Sequence, residues 1–304
     1  MVASPAVSIS PAECPVCFVP STRFWGKRTS LPMYECAVCG VIFFDRRTIQ
    51  GSNYGHYYDY TTDWDAERVS WELKIRTAKF RRQLKRLGGY AKGRALLDIG
   101  AGPGYYCRVA RDEGWDASAV EISPSAAAIG EKYLAVRYVR LEDVPAGSLN
   151  VITCHHVVEH IDWPLSFLGV LRQKLAPGGV IAAHVPHREC LSFWIRNKLG
   201  LSAHGSDKLC TLYAPEHLTG FTRESLAALF RRAGFAPLLL RTASMWSSYY
   251  DPFFFKNYTR RGDYIGIVKH ALRCTADNFG ILFGRGEWVI GHFRKLEDPV
   301  SITK

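Results

Sequence analysis

ALLDIGAGPG, residues 95–104, is an apolar run closed by an acid and followed by glycines at alternate positions. The run predicts a buried strand over 95–99, and the glycines predict a tight loop that opens a helix. Gly100, Gly102 and Gly104 tolerate positive φ and lack the Cβ that would hold a ligand off the backbone, while the following helix presents a partly positive N-terminus. Such a loop cradles a nucleotide. Tyr105 stands where a dinucleotide fingerprint carries its third glycine, which weighs against NAD. Asp98, just ahead of the loop, suits a ligand with an ammonium or amide and would repel a pyrophosphate. A second strand, DASAVEIS, ends at Glu121, one strand-helix-strand unit later, where a carboxylate can accept both hydroxyls of an adenosine ribose.

Two further stretches complete a pattern: LNVITCHHVVEHIDWP predicts a strand with its loop and helix, and LRQKLAPGGVIAAHVP a helix, a Pro-Gly-Gly turn and another strand. With DIGAGPG and VEIS, in this order, they resemble the class I S-adenosylmethionine-dependent methyltransferases over residues 92–240 plus a last strand. The resemblance implies an α/β, doubly wound, Rossmann-like sheet of seven strands, the last antiparallel. It implies S-adenosyl-L-methionine held by Asp98, Gly100, Gly102, Gly104, Glu121, Ile122, Cys154 and His155, with Leu141 and Glu142 on the adenine side. One departure stands out: after the third strand, AVRYV, the family often carries an acid that reads the adenine amino group, and this chain has Arg140. Similar enzymes close an amino-terminal helix and its preceding loop over the methionine end, which places Tyr57 and Tyr58 of GSNYGHYYDYTTDW there.

Cys14 and Cys17 form one C-x-x-C and Cys36 and Cys39 a second, with 18 residues between the pairs. That spacing is expected of a tetrathiolate zinc ribbon, and with all four tetrahedral positions filled the Zn2+ would be structural. Ordinary buried or redox cysteines are the competing reading, which the doubled motif disfavours. Cys107, Cys154, Cys190, Cys210 and Cys274 are scattered and read as packing residues. The organisation expected is a zinc-ribbon-like module over 1–45, an aromatic linker and basic amphipathic helix over 46–90, and a catalytic domain over 91–298. Insertions at 187–213 and 244–286 are long enough to be functional lids.

The amphipathic helix is expected over about 65–87, closed by Gly88 and Gly89, with Val69, Leu73, Phe80, Leu84 and Leu87 facing the core. Its other face carries Lys74, Arg76, Lys79, Arg81, Arg82, Lys85 and Arg86, a charge run read as a solvated surface. With 39 Lys and Arg against 28 Asp and Glu, a net charge of +11, the whole surface should attract anions. The opening MVASPAVSISPAE has no basic start followed by an apolar stretch, and no apolar run approaches the roughly 18 residues of a spanning helix, so a cytoplasmic enzyme is the expectation.

Methyl transfer needs in-line placement, and an acceptor hydroxyl, phenol or carbon acid must also lose a proton. A histidine is the expected base, with His156, Glu159, His160 and His217 as the candidate catalytic residues; for His217, ahead of the last large helix, a structural hydrogen bond is the competing reading. His156, Glu159 and His160 also spell H-x-x-E-H, the inverted zinc-peptidase pattern, which the preceding methyltransferase-like strand argues against. Quinone-biosynthesis O-methyltransferases, which this region resembles, carry E-x-x-E-H at this place and hold a divalent ion near the substrate. Here His156 replaces their first glutamate. The alternative is that Glu159 and His160 only hydrogen-bond to each other and to neighbouring loops. In APEHLTGFTRESLAALFRRAGF, residues 214–235, Thr222 is the expected N-cap, Gly234 the C′ residue, and Leu226, Leu229 and Phe230 face inward.

The first functional expectation is methyl transfer to oxygen or carbon of a small-molecule acceptor: a sugar, lipid-linked or aromatic metabolite. An RNA base methyltransferase using the zinc module and basic surface is the alternative; no N-P-P-Y-like or catalytic-cysteine motif supports it. The aromatic and basic stretch 244–261 reads as a packed cap over the acceptor pocket, with peripheral membrane or lipid contact as its other reading.

Overall fold

The computed structural model describes residues 12–20, 23–28, 31–45, 64–201, 212, 216–244 and 264–297. The amino-terminal strands are β1 (Arg23–Arg28), β2 (Leu31–Glu35) and β3 (Ile42–Phe44), followed by α1 (Ala66–Tyr90). The central alternation runs β4 (Ala95–Ile99), α2 (Tyr105–Asp112), β5 (Asp116–Val120), α3 (Pro124–Leu134), β6 (Leu149–His155), α4 (Pro164–Lys174) and β7 (Leu175–Pro186). It continues through α5 (Leu191–Lys198), β8 (Thr219–Gly220), α6 (Arg223–Arg232), β9 (Phe235–Ala243), α7 (Tyr264–Gly280) and β10 (Trp288–Lys295).

The large sheet has the order β5-β4-β6-β7-β10-β9. β4 runs parallel to β5 and β6, β6 parallel to β7, and β10 antiparallel to both β7 and β9. Neighbouring residues of the central strands enter opposite layers because side chains alternate along a strand. Leu97, Ile152 and Ile181 pack with Leu168, Leu171, Leu229 and Phe230 of α4 and α6. Leu96, Val151 and Val180 pack with Leu84, Leu87 and Val109 of α1 and α2. Covering both faces makes these strands read as continuous apolar runs, and each fully buried side chain stabilises by about 1.5–3 kcal/mol.

Six strands, not the seven expected, build this sheet among the described residues. The third, AVRYV, is reduced to a single parallel bridge between Ala119 and Tyr138. Its entry at Ala135 is left-handed (φ 52°), and beyond Arg140 the chain turns into a short 3-10 helix over Leu141–Asp143, so no length remains for a ladder. α1 also outruns its expected end. Gly88 and Gly89 do not stop it, because Gly88 lies against Arg94 and Trp115 and the last turn is held by the Ala91 amide donating to the Leu87 carbonyl. Its start behaves as the sequence suggests: Asp65 accepts from the Arg68 amide at 2.8 Å.

A small sheet of order β1-β2-β3-β8 borrows its last strand from far along the chain. A Cβ at Gly220 would lie 2.3 Å from the Leu212 side chain and 2.8 Å from that of Ile42, so glycine lets β8 approach β3 without displacing these buried side chains. Val41 and Phe43 join the core that contains Val158 and Phe221, and Glu35 pairs with the buried Arg188 at 2.9 Å. The 187–213 insertion supplies α5 and the 244–286 insertion α7; Ser192, by its amide and hydroxyl, donates to Asp277 at 2.9 and 3.0 Å and joins them. Tyr57, Tyr58 and residues 245–261 lie outside the described residues. Among the described residues no helix is long and apolar enough to cross a membrane.

Candidate active site

At the carboxyl end of β4 the chain reverses its direction of strand addition, the place where open α/β sheets bind ligands. The glycine loop sits there. Gly100 (φ 65°), Gly102 (φ 54°) and Gly104 (φ 80°) are all left-handed, and a Cβ at Gly100 would lie 2.6 Å from Val157. Glu121 folds back onto the loop: one carboxylate oxygen accepts from the Gly102 amide at 2.6 Å, the other from Ile122 and Ser123 at 2.8 Å each. The Tyr138 hydroxyl donates to the Gly102 carbonyl at 2.8 Å, a brace that the sequence did not single out. Asp98 is buried at the strand end and accepts from the Thr153 hydroxyl. Burial pushes its carboxyl up to about 7; the Thr153 bond opposes this, and the Glu121 charge adds to it.

β6 delivers the histidines. Cys154 is buried, and His155 lies edge-on to Tyr106 with ring centroids 4.9 Å apart and 4.2 Å from the His184 ring. Desolvation, then the neighbouring His156, holds His155 down at about 3, so it is neutral at ordinary pH. His156 turns outward with φ 59°, its amide donating to the His184 carbonyl at 2.9 Å, and its ring packs against Trp288. Behind it, Glu159 is buried with an oxygen 3.5 Å from His156 Nδ1 and 4.0 Å from His160 Nε2. Burial raises the Glu159 carboxyl, but the facing His156, with His160 and His217, brings it below its ordinary value.

Donor atoms of Glu159, His160 and His217 lie within 4.8 Å of one another. The His160 Nδ1 to Glu216 carbonyl contact of 2.9 Å leaves Nε2 facing Glu159, the orientation that a metal-binding imidazole adopts. These residues fit a divalent ion; His156 is not in that set. Ile122 is exposed, and Leu141 packs against the main core. Glu142 is exposed and ion-paired with the equally exposed Arg140, the residue that stands in sequence where an adenine-reading acid is expected.

A family model described as a methyltransferase domain matches residues 73–240, more than half of the chain. The chain belongs to this family. It is 28% identical over 142 residues to the mitochondrial ubiquinone biosynthesis O-methyltransferase of Schizosaccharomyces pombe, covering 43% of this chain and 52% of that protein. It is 25% identical over 120 residues to the ubiquinone biosynthesis O-methyltransferase of Bordetella avium, covering 36% and 50% respectively. The chain thus spans about half the length of the curated relatives it matches. The phosphoethanolamine N-methyltransferase 2 of Haemonchus contortus, solved with S-adenosyl-L-methionine, shares the fold with a TM-score of 0.54 and 16% identity, covering 82% of this chain and 61% of that one.

Beside the methyltransferase domain's histidines opens a cleft of about 440 Å³. His156, His184 and Trp288 line one part of it, and Lys79, Arg82, Gln83 and Arg86 of α1 another. Those four α1 positions recur at i, i+3, i+4 and i+7, which is one helix face. The basic run of α1 is therefore divided: Arg76 pairs with Glu72 and Arg81 with Glu113, whereas Lys79, Arg82 and Arg86 stay exposed, as the charge run suggests, and line the open cleft.

The methyltransferase domain packs against the cysteine centre, whose sulfurs also lie within 4.8 Å of one another. Cys14 and Cys39 are 3.6 Å apart and Cys17 and Cys36 3.8 Å, against about 3.8 Å for thiolates around one tetrahedral Zn2+. The amides of Val16 and Cys17 both point at Cys14 Sγ at 3.4 Å. Gly40 makes the second knuckle turn with φ 70°, and Phe18 makes the first with φ 56°. The four residues fit a structural zinc ion.

Proposed function

We propose that the protein transfers a methyl group from S-adenosyl-L-methionine to an oxygen or carbon of a small-molecule acceptor. The observation that carries this reading is the contact between Glu121 and the Gly102 amide, with Asp98 buried at the same strand end. Family membership and the O-methyltransferase activity for which the relatives are named support it, and those relatives favour oxygen. When bound, this donor supplies a sulfonium methyl whose bonding electrons remain on sulfur, so no acid is needed on its side.

The chain's own residues supply placement. Asp98 would take the ammonium, and Glu121 the ribose hydroxyls. Three backbone amides already use most of the roughly four acceptor directions of the Glu121 carboxylate, so the diol would share or displace the Gly102 amide. His156 lines the cleft and would receive the acceptor proton, with Glu159 orienting its ring. Glu159, His160 and His217 would hold a divalent ion, which would polarise an acceptor oxygen. Cys14, Cys17, Cys36 and Cys39 would hold Zn2+ in a structural role.

Calorimetric titration with S-adenosylhomocysteine tests the reading. Micromolar binding by the wild type and at least about a tenfold loss in Asp98→Ala, the worth of one charge-assisted hydrogen bond, are expected. No binding by the wild type would refute it.

A further inference from the structure

Arg86 and Arg241 reach the same cleft from different elements, α1 and β9, and Lys79 and Arg82 join them from α1. Among the described ion pairs none of the four has a carboxylate partner, and among the described residues no acid lines the cleft. Unpaired like charges crowded in this way repel one another. The Arg241 guanidinium is held below its ordinary value by desolvation and then by Arg86, and the Lys79 ammonium by desolvation and then by Arg76 and Arg82.

A second, independent observation concerns neutral groups on the same wall. His184 is more than nine-tenths buried and its Nε2 has no hydrogen-bond partner among the described residues; the buried atoms Trp288 Nε1 and Ser244 Oγ, on partly buried residues, have none there either. Buried polar atoms are ordinarily satisfied, so three orphans around one cavity indicate a ligand with several acceptor atoms. His156 lines this cleft too, so the ligand lies on the side where the proposed acceptor is deprotonated, and neither Asp98 nor Glu121 is among the lining residues. The volume suits a metabolite.

We propose that the acceptor carries a phosphate or diphosphate group, bound in this cleft by Lys79, Arg82, Arg86 and Arg241 with help from Trp288 and Ser244. The proposal rests on the methyltransferase reading above and adds the chemical class of its acceptor. Guanidinium forks match phosphate oxygens in pairs, which favours this anion over a lone carboxylate.

The test is calorimetry on protein saturated with S-adenosylhomocysteine, titrated with inorganic pyrophosphate and with UDP. Dissociation constants of about 1 mM or tighter are expected, with about tenfold weakening in Arg86→Gln and in Arg241→Gln. Lys85→Gln removes the same charge one residue away, from a position that does not line the cleft, and should change affinity by less than about twofold. Tighter binding of UDP than of pyrophosphate would assign the anion to a soluble nucleotide ester. Tighter binding of vesicles of phosphatidylcholine with phosphatidic acid than of UDP, lost in Arg86→Gln, would assign it to a lipid; both outcomes support the proposal. Equal weakening by Lys85→Gln and Arg86→Gln, or no pyrophosphate binding while S-adenosylhomocysteine still binds, would overturn it. So would oligouridine binding tighter than UDP with a salt dependence of many phosphates, which points to RNA. Loss of S-adenosylhomocysteine binding by the wild type would instead fail the underlying reading.

Discussion

Asp98 is a residue whose surroundings conflict with its charge. Its native carboxyl titrates near 7 against a reference of 3.8, so the folded state holds the proton more firmly than the unfolded one. The stability this contributes is complete below about pH 4 and lost as pH rises through about 7. In the ligand-free protein, the melting temperature of the wild type relative to Asp98→Asn should therefore fall across that window, and a difference independent of pH would contradict the assignment. Gly100 makes a steric prediction. Gly100→Ala meets both a left-handed φ and Val157, so it should destabilise by about 1–3 kcal/mol and weaken S-adenosylhomocysteine binding, read by thermal melts and calorimetry.

At this scale much was legible. Glycine spacing, the acid before it and Glu121 are local signals, and so are the Thr222 cap, which accepts from the Ser225 amide at 3.2 Å, and Gly234 at φ 81°. Phe18 was not, because nothing in its side chain announces a positive φ. Its ring lies 5.8 Å from that of Trp163, a tertiary contact that helps hold the strained turn.

Among the elements, α1 shows what periodicity can and cannot give. It separates Val69, Leu84 and Leu87, which are buried, from the exposed Lys and Arg positions, though not from Glu72, which is buried as well. It does not say what faces the charged positions, and β9 and β10 come from the far end of the chain to do so. The third strand failed as an expectation for a related reason: a β-like pattern sets a preference, but an edge ladder also needs chain length. The knuckles carry their own prediction. Purified protein should hold one zinc per chain by elemental analysis, and Cys39→Ser should lose it with a fall in melting temperature on the order of 10 °C. Full zinc retention in Cys39→Ser would refute the tetrathiolate centre.

For the whole molecule, the deciding join is β3 with β8. The Phe44 amide donates to the Leu218 carbonyl at 3.3 Å and the Leu218 amide to the Glu159 carbonyl at 2.9 Å, so main chain runs from the cysteine module to the histidine cluster in two steps. A two-residue strand supplied 175 positions after β3 leaves no trace in local patterning. Gly220→Ala, which inserts a Cβ into this seam, should cost about 1–3 kcal/mol and lower turnover while S-adenosylhomocysteine affinity stays intact, because the glycine loop lies elsewhere. Equal loss of both would show that the seam serves stability alone.

If the cysteines hold zinc and Glu159 serves the acceptor side as proposed, that seam would make the thiols a remote governor of catalysis. Oxidants or chelators that unfasten the knuckles would slacken β3, then Leu218, then the main chain carrying Glu159, so starvation for zinc would silence methylation in protein that still grips its donor.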